Sequence, residues 1–233
     1  LQILKRSKSH RVQPNTDTKQ ILSWNAILVS SLIQAYSSVN NQAYNELAKS
    51  LIKQIENHFI VKKTYLHQVR YSIKPIFAFL DDMALLTKAY IDLYEISGDI
   101  NYITNANQCL TEILDNFKSK KSRSVFYNYY SNLSEELIAE KYEFNDSVMP
   151  SSNSILCECL FKIGFINQVS EYTVKAKEML ENIMESALNN PLYFSNWLKI
   201  YSDYVEYPKA WIKYNTNFIS YEQLKQSEFP IEK

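Results

Sequence analysis

Most of this chain carries hydrophobic periodicity of the helical kind, and it comes in two forms that alternate. A first segment, about Gln20–Val39, is apolar nearly all round, with Ile21, Leu22, Trp24, Ile27, Leu28, Val29, Leu32, Ile33 and Tyr36. The next, about Gln42–Phe59, has one stripe: Tyr44, Leu47, Ala48, Leu51, Ile52, Ile55 and Phe59. The alternation repeats with Leu80–Ile96 (all round) and Tyr102–Phe117 (one stripe), then with Ser152–Ile163 and Gln168–Leu188. A seventh segment, Pro191–Val205, carries Leu192, Phe194, Trp197, Leu198 and Tyr201. A helix that is apolar on all faces is covered on several sides, and a striped one lies at the surface. The alternation therefore predicts inner and outer helices in turn: an all-α chain, an α/α-hairpin array, either a solenoid or a closed toroid.

The connections favour the toroid. Inner-to-outer turns are short, at Val39–Gln42, Ser97–Asn101 and Gly164–Gln168, and outer-to-inner connections are long, at Ile60–Phe79 and Lys118–Ser151. The long ones hold β-like runs at Tyr65–Tyr71 and Ser124–Tyr130. Regular solenoid repeats are shorter than this, and long loops gathered on one rim are the usual place for function. The chain has two glycines in 233 residues, Gly98 and Gly164, where average usage would give roughly sixteen. Both are expected to cap helices in the left-handed conformation. No glycine-rich phosphate loop and no dinucleotide fingerprint can be written from them, and a β-rich fold full of tight turns is excluded on the same ground.

Charge removes further classes. Lysine plus arginine and aspartate plus glutamate each number 25, so there is no domain-wide basic field for nucleic acid. The one basic cluster, Lys5, Arg6, Lys8 and Arg11 around His10, is expected to be a solvated N-terminal arm. No apolar run approaches the ~18–20 residues of a membrane span, and no secretory signal is visible. The expected location is the cytoplasm. Cys109, Cys157 and Cys159 make no disulfide framework, and the last two fall on nearly opposite faces of a helix, so buried structural thiols are expected. No metal-ligand spacing exists among His10, His58 and His67, and neither metal nor cofactor is expected.

Parallel inner helices bring their N-termini to the rim served by the long loops. Trp24 and Asn25, Asp81 and Asp82, and Ser151, Ser152 and Asn153 with Asp146 just upstream should therefore converge. Helix N-termini also favour ionised carboxylates. Asp81 and Asp82 read either as a general acid/base or sugar-hydroxyl ligand, or as an N-cap plus a first-turn acid. Two in a row leave one spare after capping, which favours a role for the second. Asp146 reads as a cap or a ligand contact, and a carboxylate pair across a pocket is the equipment of glycoside hydrolysis. Trp24 reads as core, or as a rim platform for a sugar ring. Asn25, a polar amide in an apolar helix, needs partners. His58 reads as a surface residue near a helix end, and His67 as a loop residue on the same rim. Tyr127, Tyr129 and Tyr130 on the second long loop could line a polyhydroxyl pocket.

Five ordered motifs also carry a resemblance. Arg11, Pro14, Asp17 and Lys19 are followed by Ser23, Trp24 and Asn25, then by Leu80, Asp81, Asp82 and Ala84. Leu93, Tyr94, Glu95, Gly98 and Asp99 come next, and Asp146, Pro150, Ser151, Asn153 and Ser154 complete the series. The pattern resembles the C-terminal helical region of the large thioredoxin-domain-containing proteins related to spermatogenesis-associated protein 20. That region is similar to the (α/α)6 toroid of N-acylglucosamine 2-epimerases and six-hairpin glycosidases. The resemblance implies a partial toroid, with residues 1–233 as one toroid-type domain and a C-terminal piece of a larger protein. It also implies a companion thioredoxin-like domain in the parent chain, and site residues at Arg11, Asp17 and Lys19 besides those named above. This chain departs from the family at Met83, Ala26 and Ser152, the last two standing where the family has glycine, and no matching epimerase-type histidine pair is apparent.

Two functions are expected from this. One is a sugar-type ligand site on the rim, with Asp81, Asp82 and Asp146 as acid/base or hydroxyl ligands and Trp24, Asn25, Ser151 and Asn153 positioning the ligand. The other is a non-catalytic helical domain whose concave face binds a protein partner or a second copy.

Overall fold

A computed structural model describes residues 2–12, 17–69, 75–119, 124–132, 139–206, 212–214 and 217–219. Helix α1 (Gln2–Ser9) is followed by strand β1 (Gln20–Ile21) and the first hairpin, α2 (Leu22–Val39) with α3 (Gln42–Phe59). Three short strands come next: β2 (Ile60–Val61), β3 (Thr64–Tyr65) and β4 (Gln68–Val69). The second hairpin is α4 (Leu80–Ser97) with α5 (Ile100–Asn116), and the third is α6 (Ser152–Asn167) with α7 (Ser170–Asn189). A 3-10 turn at Pro191–Tyr193 leads into α8 (Ser195–Tyr201), one π-helical turn, and strands β5 (Ile212–Tyr214) and β6 (Asn217–Ile219).

The expected alternation is present. Helices α2, α4, α6 and α8 pack in series, and α3, α5 and α7 each cover the inner helix before them. Burial follows position in the row. Thirteen of the 16 residues of α6 and twelve of the 18 of α4 are buried, because each has inner neighbours on both sides. Only six of the 18 in α2 are buried, because α2 ends the row. The outer helices bury one stripe each, as in α5 with Ile103, Ala106, Cys109, Leu110 and Ile113. Full burial of each large side chain contributes roughly 1.5–3 kcal/mol, and Trp197, Tyr90, Phe117 and Phe161 are the largest. All three cysteines are buried and unpaired.

Each hairpin turns at a left-handed residue: Asn40 (φ 51°), Gly98 (φ 68°) and Gln168 (φ 58°). Gly164 is a correction to the expectation. It lies inside α6, and its lack of a side chain serves close packing. A Cβ there would come within 2.7 Å of Thr173 Cγ2 and 3.2 Å of the Thr173 backbone nitrogen on α7.

The long loops are also partly as expected. β1 pairs antiparallel with β4, Gln20 opposite Val69, and β2 pairs with β3 around Lys62 and Lys63, both at positive φ. Tyr71 and Pro14 lie outside the described residues. The Ser124–Tyr130 run forms no strand among the described residues. Its backbone is tied elsewhere: Asn128 N–H donates to Phe117 O, Tyr129 N–H to Lys141 O, and Tyr129 O accepts from Leu80 N–H. The basic N-terminal arm is helical from Gln2 to Ser9 yet buries no residue. Among the described residues, no helix is long and apolar enough to cross a membrane.

Candidate functional site

The first helical turn leaves N–H groups without intrahelical partners, and at this rim carboxylates from neighbouring segments meet them. Asp82, fully buried, uses Oδ1 to accept from Ser23 N–H on α2 at 2.9 Å. Its Oδ2 accepts from Phe79 N–H at 2.9 Å, the reach-back half of a capping box, and from His67 Nδ1–H at 2.7 Å. Asp82 thus joins the starts of α2 and α4 to the β-containing loop. Asp146 does the same for α6 and α8. Its Oδ1 accepts from Ser151 N–H at 2.8 Å and its Oδ2 from Asn196 N–H at 2.7 Å. Asn153 is wholly buried and takes both backbone groups of Tyr127: its Oδ1 accepts from the N–H and its Nδ2 donates to the C=O. These three side chains brace the rim.

Asp81 is different. Its Oδ1 is buried with no hydrogen-bond partner among the described residues. The Tyr129 hydroxyl bonds its carboxyl, and Glu143 stands close enough to repel it. Burial above all, then the charges of Asp82 and Glu143, push its pKa up to about 6. The Tyr129 hydroxyl is held well above its ordinary value by burial and by Asp81. The spare acid of the pair is therefore the first, where the sequence suggested the second. On the neighbouring helix, the hydroxyls of Ser151 and Ser152 are also buried without partners, while Ser152 N–H donates to Glu143 Oε2 at 3.2 Å. Glu143 was not singled out from the sequence. Its only signal there was its place three residues before Asp146 on the same loop.

His67 sits against the Phe79 ring, 4.5 Å between centroids, and Phe79 stacks in turn on Tyr129 at 5.2 Å. Burial works against the imidazolium, but the hydrogen bond and charge of Asp82, with Asp81 beyond, outweigh it and raise the His67 pKa. Lys19 opposes that rise. Lys19 pairs with Asp17 at 3.1 Å, both exposed, and Arg11 is exposed as well. Asn25 donates to Ile21 O one turn back at 2.8 Å. Trp24 is 64% exposed, so the core alternative for it is corrected.

Helical phase joins the rim to a groove of about 650 Å³ along the concave face. Asp81 stands one turn before Leu85 and two before Lys88, and Ser151 one turn before Ile155 and two before Glu158; all four lower residues line the groove. Trp24 heads the exposed α2 stripe that continues through Leu28 to the groove-lining Ser31. The floor is ionic. Lys88 lies 3.4 Å from both Asp92 and Glu158, and Lys162 lies 2.9 Å from Glu95 and 3.6 Å from Asp92. Burial opposes ionisation of Glu158, but Lys88, Lys162 and Lys199 outweigh it and lower its pKa. A floor of this kind suits a polar ligand. Among the described residues, no group of three or more His, Cys, Asp or Glu is placed to hold a metal ion.

With this geometry in view, comparison with known proteins adds two findings. The chain is 26% identical over 199 residues to the uncharacterised Caenorhabditis elegans protein B0495.5, covering 82% of this chain and 27% of that one. It is 24% identical over 173 residues to rat (Rattus norvegicus) spermatogenesis-associated protein 20, covering 70% and 22%. The chain thus spans about a quarter of the length of these curated relatives. Among solved structures, a GH76 α-mannanase from Bacteroides thetaiotaomicron superposes with a TM-score of 0.62 at 14% identity, covering 81% of this chain and 54% of that one. A cellobiose 2-epimerase from Bacillus thermoamylovorans gives 0.56 at 16% identity, covering 73% and 46%. No family model matches. By sequence the chain is similar over part of its length to spermatogenesis-associated protein 20, and by fold it is a partial α/α toroid like that of the mannanase and the epimerase.

Proposed function

We propose that this chain binds or processes a carbohydrate at the rim of its helical array, with Asp81 as the proton-handling or hydroxyl-binding group. One observation carries this. Among the described residues, the Asp81 carboxyl is the rim acid left with a buried, unpartnered oxygen, and at the start of the next inner helix two buried serine hydroxyls are unpartnered too. Unmatched buried polar atoms cost about 1–3 kcal/mol each and are rare in native proteins unless a ligand or water uses them. With a pKa near 6, Asp81 changes charge close to neutrality, which suits a general acid or base. Trp24 offers an exposed ring face to a sugar. In this proposal Asp82, Asp146 and Asn153 act as positioning residues, as do Asn25 and Ser151, and Arg11, Asp17 and Lys19 border the same rim. The carbohydrate enzymes that share the fold support the ligand class; a thioredoxin-like companion domain in a longer parent chain and a cytoplasmic location belong to the proposal on the strength of the sequence motifs alone.

The test is calorimetric titration with mannose, glucose, cellobiose and an α-mannobiose. Saturable binding of at least one is expected, weakened roughly tenfold to a hundredfold in Asp81→Asn, as befits a lost hydrogen bond to a charged group. Circular dichroism controls for folding. No heat from any of the four sugars would overturn the ligand class.

The second expectation, a helical interaction domain, is favoured by a different observation: the exposed Trp24 and Leu28 (49% exposed) on the uncovered side of α2.

A further inference from the structure

The groove below the rim says what kind of ligand the rim acid serves. Its charged side chains are already matched to one another. Lys88 meets Asp92 and Glu158, Lys162 beneath them meets Asp92 and Glu95, and Lys199 meets Asp203 at 3.2 Å. Charges settled in this way ask for no counter-ion from a ligand. The wall formed by α2 is neutral, since its 18 residues include no Asp, Glu, Lys or Arg. Its Ser37 and Ser38 hydroxyls donate back into their own helix, to Ile33 O at 3.0 Å and Gln34 O at 2.9 Å.

Between the rim and the ionic floor the groove is apolar. Leu85 and Ile155 stand one turn below the rim, Ile27 of α2 lines the same groove, and the first charges, Lys88 and Glu158, come seven residues down their helices from Asp81 and Ser151. At 1.5 Å per residue that leaves an apolar step about 10 Å deep. The loop before α6 extends the step with Val148, Met149 and Pro150. Val148 is 99% exposed, yet the loop that carries it is braced. Asp146 N–H donates to Tyr193 O at 2.7 Å, Ser147 N–H donates to Met149 O at 3.0 Å, and Ser151 N–H closes the loop on Asp146 Oδ1 at 2.8 Å. A valine held in water adds nothing to the core, and the thioether of Met149 beside it adapts to apolar groups of varied shape. Apolar walls with a few polar groups at one end are the make-up of a site for a small amphiphile.

We propose that the rim takes a neutral sugar joined to a short apolar group, an alkyl or aryl glycoside, with the sugar at Asp81 and the apolar group in the step lined by Leu85, Ile155 and Met149. This inference rests on the reading of the rim as a carbohydrate site and names the substrate class within it. The matched charges disfavour an anionic or cationic sugar, and the depth of the step limits the apolar group to a single ring or a short chain.

The experiment is calorimetric titration of the 233-residue chain with methyl, butyl, hexyl and phenyl glucosides and mannosides, and with hexan-1-ol. Each methylene buried is worth up to about fourfold in affinity. In at least one sugar series the butyl glycoside should therefore bind roughly tenfold to sixtyfold more tightly than the methyl one, with the hexyl and phenyl glycosides at least as tight as the butyl. The double substitution Val148→Ser, Met149→Ser alters the loop surface, and circular dichroism verifies its folding; it should bring the hexyl glycoside down toward the methyl one. Asp81→Asn should weaken every member by a similar factor and leave the gain per methylene in place. Methyl glycosides that bind with no gain along the series overturn this inference and leave the carbohydrate reading standing. So does a gain that the double substitution does not reduce. Hexan-1-ol binding as tightly as the hexyl glycoside overturns it as well, since the sugar then contributes nothing, and the absence of binding by every glycoside removes both readings.

Discussion

Asp82 and Asp146 perform the same mechanical task at two places on the rim. Each accepts from the first-turn N–H of a neighbouring inner helix, α2 for Asp82 and α8 for Asp146. What surrounds them differs. Asp82 has a titratable partner, His67, and an unsatisfied carboxyl beside it, Asp81. Asp146 has only neutral donors: two backbone N–H groups, with Ser195 Oγ at 3.4 Å and Ser154 Oγ at 3.5 Å. One brace is purely structural, and the other is built into a cluster whose charge changes near neutral pH. Chemistry is expected where a structural clamp and a group of unsettled charge share a turn of helix.

The comparison can be broken by substitution. Asp82→Asn should be the most damaging change, about 3–5 kcal/mol in urea unfolding, because a buried charged acceptor serving three donors is lost. Asp146→Asn should cost less, about 2–3 kcal/mol, since its hydroxyl contacts are long and two good backbone bonds carry it. Equal losses would show that His67 adds nothing to the Asp82 brace.

Asp81→Asn should go the other way. Its folded pKa of about 6 exceeds the ordinary 3.8, so the native state binds this proton more tightly than the unfolded chain does. The native state is therefore favoured below pH 3.8, and that advantage is lost as pH rises through 6. At pH 7.5 the Asn variant should be about 1–3 kcal/mol more stable than wild type, with no gain at pH 4. Greater stability with weaker sugar binding would mark Asp81 as a group kept for function. A loss of stability at pH 7.5 would count against it.

His67→Gln should have the smallest effect, confined to a pH window. The raised pKa of His67 means its contribution is complete below the unfolded value of 6.5 and fades as pH rises through the folded one. Wild-type stability should therefore decline from pH 6.5 upward more steeply than that of the Gln variant. Parallel curves would leave the two braces equivalent.

The hairpins were legible because period and burial are coupled. Helix α3 runs from Gln42 to Phe59 in the structure as in the sequence pattern, and α4 differs by one residue. What was not legible depends on position within the array. Helix α2 has the composition of a covered inner helix, so nothing in its residues announced that one side, with Trp24, stands open. The choice between Asp81 and Asp82 turned on helical phase. Asp82 is three residues beyond the N-cap Phe79, which is the capping-box position, and that spacing could have assigned it. Glu143 could not be found that way, because its place beside Asp81 is made by a loop folding across two helix ends. The Ser124–Tyr130 run has strand composition but its backbone is tied to segments distant in sequence, which local propensity does not register.

The three left-handed corners at Asn40, Gly98 and Gln168 have a consequence for how such arrays change size. Each corner is closed by its own helix, with the N–H of the left-handed residue donating to a carbonyl three or four residues back: Tyr36 for Asn40, Tyr94 for Gly98, and Gly164 and Phe165 for Gln168. No corner needs the next hairpin in order to turn. A hairpin is therefore a removable module, and rings of this type can gain or shed whole modules without unravelling the turns that remain.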